Sequence, residues 1–114
     1  MQIVSIHSCE HYTWGANCNG WHLLRGQDLS VIQERMPPHT SEIAPSHARS
    51  HQSFFVLSGT LTIVLGNAIH SLGPEDGLEV IPESVHRVVN DTDADVRFIV
   101  ISSPPSHGDR ISAT

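Results

Sequence analysis

The chain has 114 residues, 39% of them apolar and 16% charged, which suits one folded domain and excludes a disordered or membrane-embedded chain. Its six basic residues are all arginine and stand against 12 acids, for a formal net charge of −6. That balance excludes a nucleic-acid partner, which needs a basic stripe, and an anionic membrane surface. No apolar run approaches the ~18 residues of a spanning helix, and the opening MQIVSIHSCEH carries no basic-then-apolar leader pattern, so a soluble, cytoplasmic protein is expected.

Gln2–Ser8, mixed apolar and polar, reads as a strand that a partner sheet can take up. Cys9 and Cys18 are too few for a disulfide framework and read as reduced thiols. Short segments rich in Val, Ile, Leu and Phe follow between turn residues: Trp21–Leu24, Leu29–Met36, Gln52–Leu57, Leu61–Leu65, Ala68–Leu72, Leu78–Pro82, Val85–Asn90 and Val96–Ser102. Ser58-Gly59 and Gly66-Asn67 read as hairpin turns, Gly73–Gly77 as a break, and Asn90–Asp95 as an acidic loop. No stretch holds a 3.6-residue apolar period for three turns. Short strands at this spacing predict an all-β sandwich or barrel with little or no helix. The polar tail from Pro104 to Thr114 is expected to be partly loose.

Alternation assigns faces. His86, Val88 and Asn90 share one side of their strand, opposite Arg87 and Val89. Gln52, Phe54 and Val56 share a side opposite Ser53, Phe55 and Leu57. With both faces apolar, this second strand is expected to lie centrally, covered on two sides. Histidine is over-represented, with nine residues, and histidine is the commonest metal ligand.

The stretch PHTSEIAPSHARSHQSFFVLSG, about residues 39–59, resembles the first motif of the cupin superfamily: Gly, five residues, His-x-His, three or four residues, Glu, six residues, Gly. Gly59 fits the closing glycine, Gln52 takes the glutamate position and His47 the second histidine. Pro45 then stands at the first histidine and His39 at the opening glycine. EDGLEVIPESVHRVVN, about residues 75–90, resembles the second motif: Gly, five residues, Pro-x-Gly, two residues, His, three residues, Asn. His86 and Asn90 match its end, Glu83 replaces the glycine, Pro82 stands one late and Gly77 two late. HYTWGANCNGWHLL, LSVIQERMPP and FIVISSPPSHGDR are also similar to small single-domain bacterial cupins. The resemblance implies one cupin domain over residues 1–114, a double-stranded β-helix or jelly-roll barrel.

The resemblance implies a metal site of His47, Gln52 and His86, for a divalent ion such as Zn, Ni, Mn or Fe. His51 and His39 are the substitutes: His51 lies within the tolerated spacing, and His39 reaches inward only from a loop. Because His51 and Gln52 are adjacent, alternation turns one of them outward, and the face shared with Phe54 favours Gln52 as the inward one. Phe54, Val56 and Val88 are expected to line the pocket. Tyr12, Trp14 and Trp21 line it or pack the core; His22 has no identifiable partner; His107, Asp109 and Arg110 form a polar cluster in the tail. Two functions remain open. One is a metal-dependent enzyme, an isomerase, dioxygenase or decarboxylase, acting on a small molecule. The other is a metal-free module that binds or senses a small polar ligand without catalysis. A homodimer is expected, because open sheet edges need covering.

Overall fold

The computed structural model describes residues 1–43, 46–47 and 49–105, with only the backbone of Ser46 and His47. Among these the chain forms strands and turns and no helix. The strands are β1 (Glu10–Trp14), β2 (Cys18–Arg25), β3 (Ser30–Met36), β4 (Thr40–Ser41), β5 (Ser46–His47), β6 (His51–Ser58), β7 (Leu61–Leu65), β8 (Ala68–Leu72), β9 (Gly77–Val80), β10 (Val85–Asn90) and β11 (Val96–Ser103). Two antiparallel sheets face each other. One has six strands in the order β1-β2-β3-β11-β6-β9; the other runs β4-β10-β7-β8, with β5 also paired to β10. Each long strand alternates buried and exposed side chains, as in the eBeBeBee pattern of β6, so the two inner faces make one core. Cys18, Met36, Val56, Leu61, Ile63, Val80, Val96 and Phe98 are wholly buried there. This is the jelly-roll barrel that the resemblance implies, and it agrees with the all-β sandwich or barrel expected from the spacing of the segments.

Two expectations are corrected. β6 lies next to the edge strand β9, not under cover on both sides; Phe55 and Leu57 on its outer face are 41% and 43% exposed. An apolar run on both faces signals burial on two sides only where the chain supplies a second cover, and none of the described residues does. Ser58-Gly59 is not a hairpin turn: it carries the chain from the larger sheet at β6 to the smaller one at β7. Gly59 has φ +80°, and a Cβ on it would stand 2.3 Å from the Asp95 carbonyl oxygen, so this crossover needs glycine. Within the single chain Gln2–Ser8 pairs with no strand and ends in a turn in which the Ser8 and Cys9 amides donate to the Ser5 carbonyl at 3.1 and 3.0 Å; the expected strand is one that a partner sheet takes up. Gly66-Asn67, by contrast, is the two-residue hairpin expected, joining Leu65 to its partner Ala68.

Candidate functional site in the barrel interior

The registers stack the inner side chains of the larger sheet in rows across the strands. At one end Ser30 pairs with Ser102, and Ser102 with Gln52. The next row holds His22, Ile32, Val100 and Phe54, and the next Tyr12, Gly20, Glu34, Phe98 and Val56. Met36 opposite Val96 closes the other end. Polar side chains therefore concentrate at the Ser30–Ser102–Gln52 end and run partway down the β1–β3 wall. The other inner side chains of these rows are aliphatic or aromatic.

β10 supplies the facing histidine. His86 is 4% exposed, and its ring meets Phe54 edge-on with centroids 5.7 Å apart. Its Nδ1 lies 3.3 Å from the Ser84 carbonyl oxygen. The neutral tautomer with its proton on Nδ1 donates there, which leaves Nε2 as the acceptor or ligating atom. Gln52 is buried and donates through Nε2 to Ser102 Oγ at 3.1 Å. The backbone of His47 pairs with Val85, immediately before His86; its side chain, like Pro45 and His107–Arg110, lies outside the described residues. Phe54, Val56 and Val88 are packed in the core beneath these groups.

The two substitute ligands stand outside the barrel. His51 is exposed, with Nε2 at 2.5 Å from Glu79 Oε2 on the neighbouring edge strand. His39 is exposed and its Nε2 lies 2.6 Å from Asp93 Oδ1. Gln52 inward and His51 outward is the arrangement that alternation assigns. Glu42, a carboxylate left unassigned by sequence, is buried but committed to backbone: it accepts the Val88 amide at 2.9 Å. Trp14 packs against the core, whereas Trp21 lies on the outer face beneath the Arg97 guanidinium, 5.6 Å from its centroid.

The two motifs keep their backbone where they have lost their residues. Their four glycine positions are held here by His39, Gly59, Glu75 and Glu83, and all four have positive φ, at 56°, 80°, 69° and 67°. Left-handed backbone is the reason those positions favour glycine. The closing asparagine is equally structural. Asn90 is fully buried, and its Nδ2 donates to the carbonyls of Met36, Pro37 and Ala94 at 2.9–3.0 Å. Its Oδ1 accepts the Thr92 amide at 3.1 Å. One side chain thus ties two loops across the closed end of the barrel.

Sequence reasoning missed the third group. Glu34, 1% exposed, accepts the Tyr12 hydroxyl at 2.9 Å, and the Tyr12 and His22 rings lie 5.0 Å apart. The signal was present in β3, where alternation puts Glu34 on the face of Met36; without the cross-strand register nothing connected it to Tyr12 or His22.

The fold implies a metal, and the donors present decide whether one fits. Among the described residues no group of three or more His, Cys, Asp or Glu side chains is placed to share an ion. His86 and the neutral amide of Gln52 do not on their own make a site of the usual two or three histidines and a carboxylate.

The cupin domain model matches residues 32–102. No curated protein matches the chain. Among solved structures it is similar to an RmlC-like cupin from Shewanella frigidimarina, with TM-score 0.80 and 18% identity over 92% of each chain. It is similar to the polyketide cyclase RemF from Streptomyces resistomycificus, with TM-score 0.79 and 16% identity over 92% of this chain and 80% of that one. A sugar phosphate isomerase of the cupin superfamily from Silicibacter pomeroyi gives TM-score 0.74 and 20% identity, over 91% and 76%. These likenesses carry the fold; the match over residues 32–102, more than half of the chain, carries the family: the protein belongs to the cupins.

Proposed function

We propose that the barrel binds a small polar molecule at its Ser30–Ser102–Gln52 end, opposite His86, without a catalytic metal. The observation behind this reading is the buried Gln52. A neutral amide hydrogen-bonded to a serine hydroxyl stands where the family pattern has a carboxylate. Such a surface donates and accepts hydrogen bonds but lowers the charge available to a hard cation. Native mass spectrometry of protein purified without a His-tag tests it: a co-purifying small molecule lost in Gln52→Ala is expected. Stoichiometric Zn, Ni, Mn or Fe, by elemental analysis, overturns it in favour of the enzyme reading.

That second reading, a metal-dependent isomerase, dioxygenase or decarboxylase, is favoured by one feature of His86. Its Nδ1 faces a backbone carbonyl, which is how ligating histidines are commonly oriented. His47, Gln52 and His86 would hold the ion. On this reading His86→Ala loses metal and keeps the fold, and His51→Ala keeps both. Both readings take the protein as a cytoplasmic homodimer of C2 symmetry, for which light scattering at micromolar concentration gives the mass.

A further inference from the structure

The barrel wall carries a polar group that neither motif contains. β1, β2 and β3 bring Tyr12, Gly20 and Glu34 into one cross-strand row. Gly20 is the residue that makes the row work. A Cβ there would stand 2.2 Å from Tyr12 Cζ and 2.5 Å from its hydroxyl oxygen. The tyrosine ring therefore crosses the strand over the bare glycine and reaches Glu34 Oε2 at 2.9 Å. Glycine inside a strand weakens it, and a buried carboxyl is costly unless its partners compensate. Phe98 and Val56 complete the same row, and a leucine at position 34 would continue their apolar surface. Places where a chain keeps such local costs are where functional sites are found.

The geometry points to Glu34 as a ligand-binding carboxyl, oriented by Tyr12 and flanked by His22, that takes a hydroxyl of a neutral polyhydroxylated small molecule. It deepens the reading above and rests on it. The ligand class follows from the wall. Glu34 accepts; Ser30, Ser102 and the Gln52 amide both donate and accept; and a sugar hydroxyl does both. The carboxyl and the net charge of −6 disfavour an anion. From the Glu34 row to the Ser30 row is four residues, about 13 Å along the strand. The His22 row lies midway between them.

The test uses the intact protein and three probes, glycerol, D-xylose and D-glucose, in saturation-transfer NMR with titration. Binding of at least one sugar is expected, weakened about tenfold or more in Glu34→Gln, with a melting temperature unchanged or raised. Tyr12→Phe should weaken the same sugar while melting within a few degrees of the parent. If Glu34→Gln does not fold, Tyr12→Phe decides, and unchanged affinity in it overturns the proposal. Equal affinity in Glu34→Gln, or no sugar bound by the parent protein, also overturns it. Affinity lost in Gln52→Ala but kept in Glu34→Gln leaves the pocket standing and removes only Glu34 from it. A co-purifying molecule that is retained in Gln52→Ala in the mass-spectrometric test is a separate failure, of the pocket itself.

Discussion

Glu75→Gly should stabilise this protein, although it removes a side chain. Glu75 holds φ at 69°, its amide donates to the Val56 carbonyl at 2.8 Å, and its side chain is exposed. A residue with a Cβ pays about 1–2 kcal/mol for left-handed backbone. Glycine relieves that strain but adds about 0.4–1 kcal/mol of unfolded-state freedom. The balance favours glycine by about 0.5–1 kcal/mol, or roughly 2–5 °C in melting temperature for a domain of this size. The substitution also removes one negative charge from an acidic protein, so Glu75→Ala is the control: it removes the same charge and keeps the Cβ. Calorimetry at one pH and salt concentration should place Glu75→Gly above the parent and Glu75→Ala at or below it. If alanine stabilises as much as glycine, charge relief and not backbone strain explains the gain, and the account of the motif positions fails.

The same strain argument gives Glu83→Gly, at φ 67°, a gain of similar size by chemical denaturation. In the opposite direction, Gly59→Ala puts a Cβ 2.3 Å from the Asp95 carbonyl oxygen and should cost about 3 kcal/mol or more; normal melting would show that the crossover can shift. Asn90→Ala unties three carbonyls at a fully buried position and should cost about 2–4 kcal/mol, read as a lower denaturant midpoint with unchanged slope. His51→Ala breaks only an exposed pair with Glu79; it should change stability by less than ~1 kcal/mol and leave any bound ligand in place.

The strands could be read before the structure because each long one repeats a two-residue period between turn residues. Val85–Asn90 and Leu61–Leu65 have the bounds read from sequence. β1 was unreadable for a physical reason. Glu10–Trp14 has polar and aromatic residues but no aliphatic one, and it is paired on one side only, to β2. The two-residue strands β4 and β5 are too short to show any period. β6 misled through its outer face, since Phe55 and Leu57 look like buried residues and are not. The motif alignment placed Gln52, His51 and His86 with their faces. It could not place the His39 side chain, whose contact with Asp93 comes from a loop 54 residues away.

The motifs and the wall record different constraints. At the motif glycine positions the backbone angle persists while His39, Glu75 and Glu83 occupy it, because an isolated strain of about 1–2 kcal/mol is tolerable in a folded domain and the turn geometry is not negotiable. Asn90 persists because three carbonyls depend on one amide. Neither fact bears on chemistry. The residues that chemistry would need are Gln52 and His86 at one end and Glu34 with Tyr12 on the wall, and these are held by side-chain contacts rather than backbone angle. The family pattern is therefore a good guide to where this chain turns and a poor one to which side chains line its interior. Gly20, in neither motif, says more about the interior than three of the four motif glycine positions, because its missing side chain is what lets a tyrosine hydroxyl reach a buried carboxyl.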